Sequence, residues 1–146
     1  MKSESQLEIR KAVTADTLVI SSLSESLGYS PVSKEESVER LQRLLQSELD
    51  QVWVCVKAEK IVGWMHIFLA HRLASAPFVE IGGIVVDTGN RQQGAGKMLV
   101  KQAKDWATEN DCKLRVRSNS VREEAQQFYL STGFTQLKNQ NVFELG

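Results

Sequence analysis

Residues 81–99 read IGGIVVDTGNRQQGAGKML, an apolar segment that passes through a polar turn into a helix opened by Gly94 and Gly96. A helix N-terminus leaves backbone N–H groups unpaired and carries the positive end of the dipole, and glycines let the backbone approach a ligand closely. That combination suits phosphate, with Arg91 and Lys97 able to add charge. An ordinary strand-to-helix connection, using glycine only for tight packing, fits the same local pattern. Two nucleotide loops fail. Gly89 and Gly94 have the P-loop spacing but Ala95 follows where Lys is required, and Gly94-Ala95-Gly96 continues into Lys97, Met98 and Leu99 without the third glycine of a dinucleotide loop.

Arg91-Gln92-Gln93-Gly94-Ala95-Gly96 resembles, at every specified position, the pyrophosphate signature Q/R-x-x-G-x-G/A of the GNAT superfamily of N-acetyltransferases. Ile84-Val85-Val86-Asp87 stands where that family's fourth strand ends. Downstream, residues 125–134, AQQFYLSTGF, are similar to its A-x-x-F-Y-x-x-x-G-F element. Two motifs in the family's order identify the chain as a member, and the resemblance extends from Leu7 to the C-terminus.

The resemblance implies acetyl-CoA as cosubstrate, with no metal. Pantetheine then lies between splayed fourth and fifth strands, along Ile84, Val85 and Val86, with an N–H near Val85 facing the oxyanion of the thioester carbonyl. Arg91, Gln92, Gln93, Gly94, Ala95, Gly96 and Lys97 hold the pyrophosphate. Asn119 falls where the family often has a pantetheine-contacting asparagine; a turn or helix-cap neighbour of Ser120 is the alternative. Tyr129, next to Phe128, stands where many members have a tyrosine near the cofactor sulfur. Its phenol is protonated at neutral pH and can act as an acid toward the departing thiolate, unless it is simply a packed helical aromatic.

An amine must lose a proton to attack, so the site needs a base, directly or through water. Glu80 leads, lying among apolar neighbours at a place where several family members carry a carboxylate; pairing with a cross-strand cation is the alternative. His66 and His71 are reserves. The acceptor pocket implied by the family draws on residues 27–36. Tyr29, Trp64 and Phe143 can line it or belong to the core, and Arg115, Arg117 and Arg122 can meet phosphate or an acidic acceptor or stand in solvent.

The elements that must position these groups are legible in the hydrophobic periodicity. Residues 7–13 alternate as a strand, and residues 16–27 carry apolar positions at helical spacing up to Gly28. Ser33 and Glu36 make a capping box for a second helix that runs to about Asp50. Residues 53–56 and 61–69 read as strands joined by a hairpin turn at 57–60, and residues 78–86 as a central strand covered on both faces. A third helix spans about 94–110, followed by a strand at 114–116. Ser120 and Glu123 open a fourth helix, stopped by Gly133, and residues 134–137 and 141–145 read as two last strands. The order βααβββαβαββ predicts an α+β, mixed α/β sandwich with a central mixed sheet, as in the GNAT fold.

Composition bounds the rest. With 146 residues, 42% of them hydrophobic, the chain suits one domain, residues 1–146. Eighteen basic residues balance eighteen acidic ones, which gives no general attraction to nucleic acid or an anionic membrane. No signal-like or membrane-spanning run is present, and two well-separated cysteines without CxxC point to a reducing compartment, the cytoplasm. The expected function is transfer of an acetyl group to a primary amine of a small molecule or peptide in a ternary complex. A non-catalytic acyl-CoA-binding domain is the alternative. Homodimers are common in the family.

Overall fold

Leu7–Lys11 forms strand β1 and leads through a 3₁₀ turn at Thr14–Asp16 into helices α1 (Thr17–Ser26) and α2 (Lys34–Gln46). Strands β2 (Asp50–Lys57), β3 (Lys60–Ala70) and β4 (Phe78–Val86) come next, then α3 (Ala95–Glu109), β5 (Lys113–Val116) and α4 (Glu123–Ser131). These elements come from a computed structural model that describes residues 6–91, 94–118 and 123–146. The chain divides into two compact units, Met1–Val116 and Arg117–Gly146.

In the first unit the five strands form one sheet in the order β1-β2-β3-β4-β5. The first four are antiparallel neighbours, and β5 pairs parallel with β4 after the α3 crossover. The mixed sheet expected from the sequence is therefore present. Leu41 of α2 is buried with Val52 and Val54 of β2, and Ile20 of α1 and Trp64 of β3 pack against them. The opposite face belongs to α3: a Cβ built on Gly63 of β3 would stand 3.6 Å from Leu99 Cδ1. Because side chains alternate along a strand, Met65 and Ile67 share that α3 face, whereas Trp64, His66 and Phe68 point toward the α1/α2 side.

Helix ends follow local chemistry. Gly28, at φ +100°, closes α1 with Tyr29 N–H donating to the Ser24 carbonyl and Gly28 N–H to that of Glu25, a Schellman cap. Ser33 caps α2 by accepting from Glu36 N–H. Helix α2 does not reach Asp50. It stops at Gln46, where the Ser47 hydroxyl accepts from Leu49 N–H and donates to the Asp50 carboxylate at 2.6 Å. Such local side-chain bonds compete with the helix, and here they turn the chain so that β2 begins at Asp50. Ala58 and Glu59, both with positive φ, form the two-residue turn between β2 and β3.

Strand β4 carries a bulge that its apolar run concealed. His66 faces Gly83 while the next residue, Ile67, faces Ile81, so Gly82 is the extra residue.

The second unit is built on α4. Gly133, at φ +104°, donates to the Leu130 carbonyl and Phe134 N–H donates to that of Tyr129. This is again a Schellman cap, and its usual apolar contact is made by the Phe134 and Tyr129 rings, 5.7 Å apart edge to face. The two closing strands expected from the sequence are absent: residues 134–146 have no regular secondary structure. In their place Gln136 donates to the Asn139 side chain across the polar turn. Short strands need ladder partners, and among the described residues of this unit the tail has none.

Candidate functional site

The site begins where two strands part. Parallel pairing of β4 with β5 covers Phe78–Lys113 through Ile81–Val116 and goes no further, whereas β4 continues to Val86 along β3. The bulge at Gly82 lies immediately after the last β4–β5 pair. Among the described residues, 83–86 are thus held on one edge by β3 and have no β5 partner on the other.

Alternation determines which backbone groups meet that open edge. Asp87 N–H donates to the Val62 carbonyl at 2.8 Å, so Asp87 turns its backbone toward β3. Val85, two residues earlier, does the same, and its carbonyl would lie 2.9 Å from a Cβ on Gly63. Ile84 and Val86 therefore present N–H and C=O to the open edge. Val85 itself turns its backbone to β3 and buries its side chain. Arg91 reaches back over the same edge, its Nε donating to the Val86 carbonyl at 3.4 Å.

The chain then passes through a 3₁₀ turn, Thr88–Asn90, to the start of α3. Gly94 takes φ +95°, a left-handed conformation that glycine adopts without steric cost, and a side chain there would meet no atom within 4 Å. Ala95 is buried, Gly96 half-buried and Lys97 exposed, and the first turn of α3 holds no acidic residue. Among the described residues the N-terminus of α3 thus carries the positive end of the helix dipole with no acidic side chain in its first turn and free space beside Gly94, as an anion requires. Gln92, Gln93 and Asn119 lie outside the described residues, as do Ser120 and Arg122.

On the α1/α2 face of the sheet, β3 and β4 bring polar groups together. Glu80 is 8% exposed, opposite Phe68 on β3 and Arg115 on β5. The Arg115 guanidinium lies over the Phe78 ring at 4.2 Å, and Arg72 approaches the same ring at 5.5 Å. His66 Nε2 is 2.7 Å from Asp50 Oδ1, with both side chains largely covered. Tyr29 and Trp64 meet at 6.3 Å between ring centres, and Trp64 Nε1 donates to the Ser24 hydroxyl. His71 is exposed. Sequence reasoning missed Asp50 because its position reads as the end of α2. It also passed over Gly82, although a glycine inside a strand pattern is the available signal for a bulge.

In the second unit, the half-buried Tyr129 ring is flanked by Phe128 and Phe134. Arg117 bonds the Gln140 side chain, and Phe143 is 91% exposed.

Comparison with known proteins agrees with this geometry. The model of the acetyltransferase (GNAT) family matches residues 19–134. No curated protein matches the sequence. Among solved structures, a putative acetyltransferase from Agrobacterium tumefaciens is 20% identical with a TM-score of 0.84, covering 94% of this chain and 99% of that one. Aminoglycoside N-acetyltransferase AAC(6')-Iy in complex with CoA is 18% identical with a TM-score of 0.85, covering 96% and 95%. An aminoglycoside acetyltransferase, meta-AAC0020, from an uncultured soil metagenomic sample, in complex with trehalose, is 26% identical with a TM-score of 0.80, covering 96% and 95%.

Proposed function

The chain belongs to the GNAT acetyltransferase family, and from that premise we propose that it acts as one domain, residues 1–146, moving the acetyl group of acetyl-CoA to a primary amine by direct attack. The observation that carries the reading is the open edge of β4 beyond Ile81, with Ile84 and Val86 facing it and the N-terminus of α3 directly after it. An extended amide chain can add to such an edge as a further strand. Pantetheine is an extended amide chain, and its pyrophosphate end suits the open N-terminus of α3.

Gly94, Ala95, Gly96 and Lys97, with Gln92 and Gln93, take the pyrophosphate, and Arg91 adds charge beside them. Asn119 meets pantetheine, and Phe128 packs near it. The thioester then reaches the bulge, where an edge N–H, that of Ile84, faces the oxygen as it becomes an oxyanion. Tyr129 protonates the departing thiolate. Glu80 draws the cationic amine to the cleft and accepts a proton from it. The cytoplasm suits an enzyme with two free cysteines.

Amine attack needs no enzyme nucleophile, and burial pushes the Cys55 thiol up, away from the reactive thiolate. The test is an acceptor screen that follows release of free thiol from acetyl-CoA. Its panel opens with aminoglycosides, because structural neighbours bear that name, and continues through polyamines, amino sugars and peptide N-termini. Amine-dependent thiol release supports the reading. Saturable acetyl-CoA binding with no release on any amine would replace it with the non-catalytic alternative.

A further inference from the structure

We infer that His66, held by Asp50, is a second base of the site and the route by which the reaction's net proton reaches solvent. The inference rests on acetyl transfer to an amine, proposed above. An alkyl amine has a pKa of about 10 and arrives as an ammonium ion. During transfer the N–C bond forms at the thioester carbonyl, the C–S bond breaks, and the nitrogen sheds two protons while the sulfur gains one. Ammonium and thioester give amide, thiol and one proton in excess. Tyr129 supplies the proton on sulfur and is restored by the proton that Glu80 receives from nitrogen, so the second proton lost from nitrogen is the net one and passes to an acceptor with access to water.

His66 has the geometry for that task. Ser47 donates to Asp50 Oδ2 at 2.6 Å, which fixes the carboxylate, and Asp50 Oδ1 lies 2.7 Å from His66 Nε2. An ionised carboxylate only accepts, so the proton of the neutral imidazole resides on Nε2 and the lone pair on Nδ1. That Nδ1 is turned to the bulge: a Cβ on Gly82 would stand 2.9 Å from it. Glycine at the extra position therefore leaves uncovered the nitrogen that can take a proton. Gly82 also directly follows the last β4–β5 pair, so the thioester end of a cofactor running along Val86 and Ile84 from α3 arrives beside it. The His66 side chain is 23% exposed, which lets the imidazolium release its proton to water, and Asp50 stabilises that cation while it lasts. Asp50 is a positioning residue, acting through His66.

The experiment combines tautomer and turnover measurements on the full chain. Only two histidines are present, and His71 is exposed, so imidazole nitrogen NMR of uniformly labelled protein resolves His66 directly. The expected spectrum shows the Nε2–H tautomer in the neutral ring, with that preference weakened in Asp50→Asn. His66→Ala should lower kcat about 100-fold, leave acetyl-CoA affinity unchanged, and regain activity when imidazole is added. An Nδ1–H tautomer in the parent protein, or kcat of His66→Ala within about twofold of the parent on an amine that the parent acetylates, overturns the inference alone. A parent protein that binds acetyl-CoA but acetylates no amine overturns the function on which it rests, and the inference with it.

Discussion

Ile81 and Val116 are the last paired residues of β4 and β5, and beyond them β4 keeps its β3 partner while losing its β5 partner. The extra residue Gly82 comes at once after Ile81. A bulge bends and twists its strand locally, so one inserted glycine both ends the parallel ladder and re-aims residues 83–86. The open edge is a property of register before it is a property of any side chain.

Gly82→Ala tests that position. Its methyl group would meet His66 Nδ1 at 2.9 Å and Phe68 Cε1 at 3.1 Å, so the imidazole must shift against its bond to Asp50. We expect a loss of about 1–3 kcal/mol in stability and a kcat lower by about tenfold or more. Chemical denaturation and steady-state kinetics check both.

Gly94→Val separates backbone strain from crowding, because a Cβ there meets nothing within 4 Å while φ is +95°. Left-handed backbone costs a non-glycine residue about 1–2 kcal/mol, more for a β-branched side chain. A lower Tm and a smaller stabilisation by acetyl-CoA are predicted from thermal melts. An unchanged ligand-induced shift would remove this loop from cofactor binding.

Tyr129→Phe keeps the ring packing with Phe128 and Phe134 and deletes only the hydroxyl. As the thiolate's acid it should cost about 100-fold in kcat with acetyl-CoA affinity nearly unchanged. Equal turnover would sink the acid role of Tyr129.

Away from the site, Arg10 pairs through both terminal guanidinium nitrogens with Asp16, whose Oδ2 also accepts from Val13 N–H. The Arg10 hydrogen bonds hold the Asp16 carboxyl below the usual carboxylate range, against burial, which raises it. A depressed folded-state pKa stabilises the fold above the unfolded pKa, and that contribution disappears as pH falls through the folded value. Asp16→Asn should therefore cost about 1–3 kcal/mol at neutral pH, with the difference from the parent narrowing below about pH 4. Urea unfolding at several pH values measures it.

The legible parts of the fold were those written locally. Gly28, Ser33 and Gly133 announced helix ends because cap chemistry spans only a few residues. The contact between Tyr129 and Phe134 supplies a physical basis for part of the F-Y-x-x-x-G-F element, since it closes the Schellman cap on Gly133. The hidden parts depend on register between distant segments. Asp50 meets His66 across sixteen residues, and only because Ser47 ends α2 early. The bulge at Gly82 was masked by apolar neighbours that suit a regular buried strand equally well. The expected C-terminal strands failed because residues 134–137 and 141–145 have strand-like composition but no ladder partner within their own unit.

The most direct measurement tracks the acetyl group itself. Protein mixed with acetyl-CoA labelled in the acetyl carbonyl, and then with an amine from the screen, is quenched within one turnover and separated into protein, acceptor and cofactor. Direct transfer predicts label on the amine nitrogen in step with free thiol, and none on Cys55 or Cys112. Label on either cysteine before the amine is added, or thiol released with no labelled amide, would contradict it.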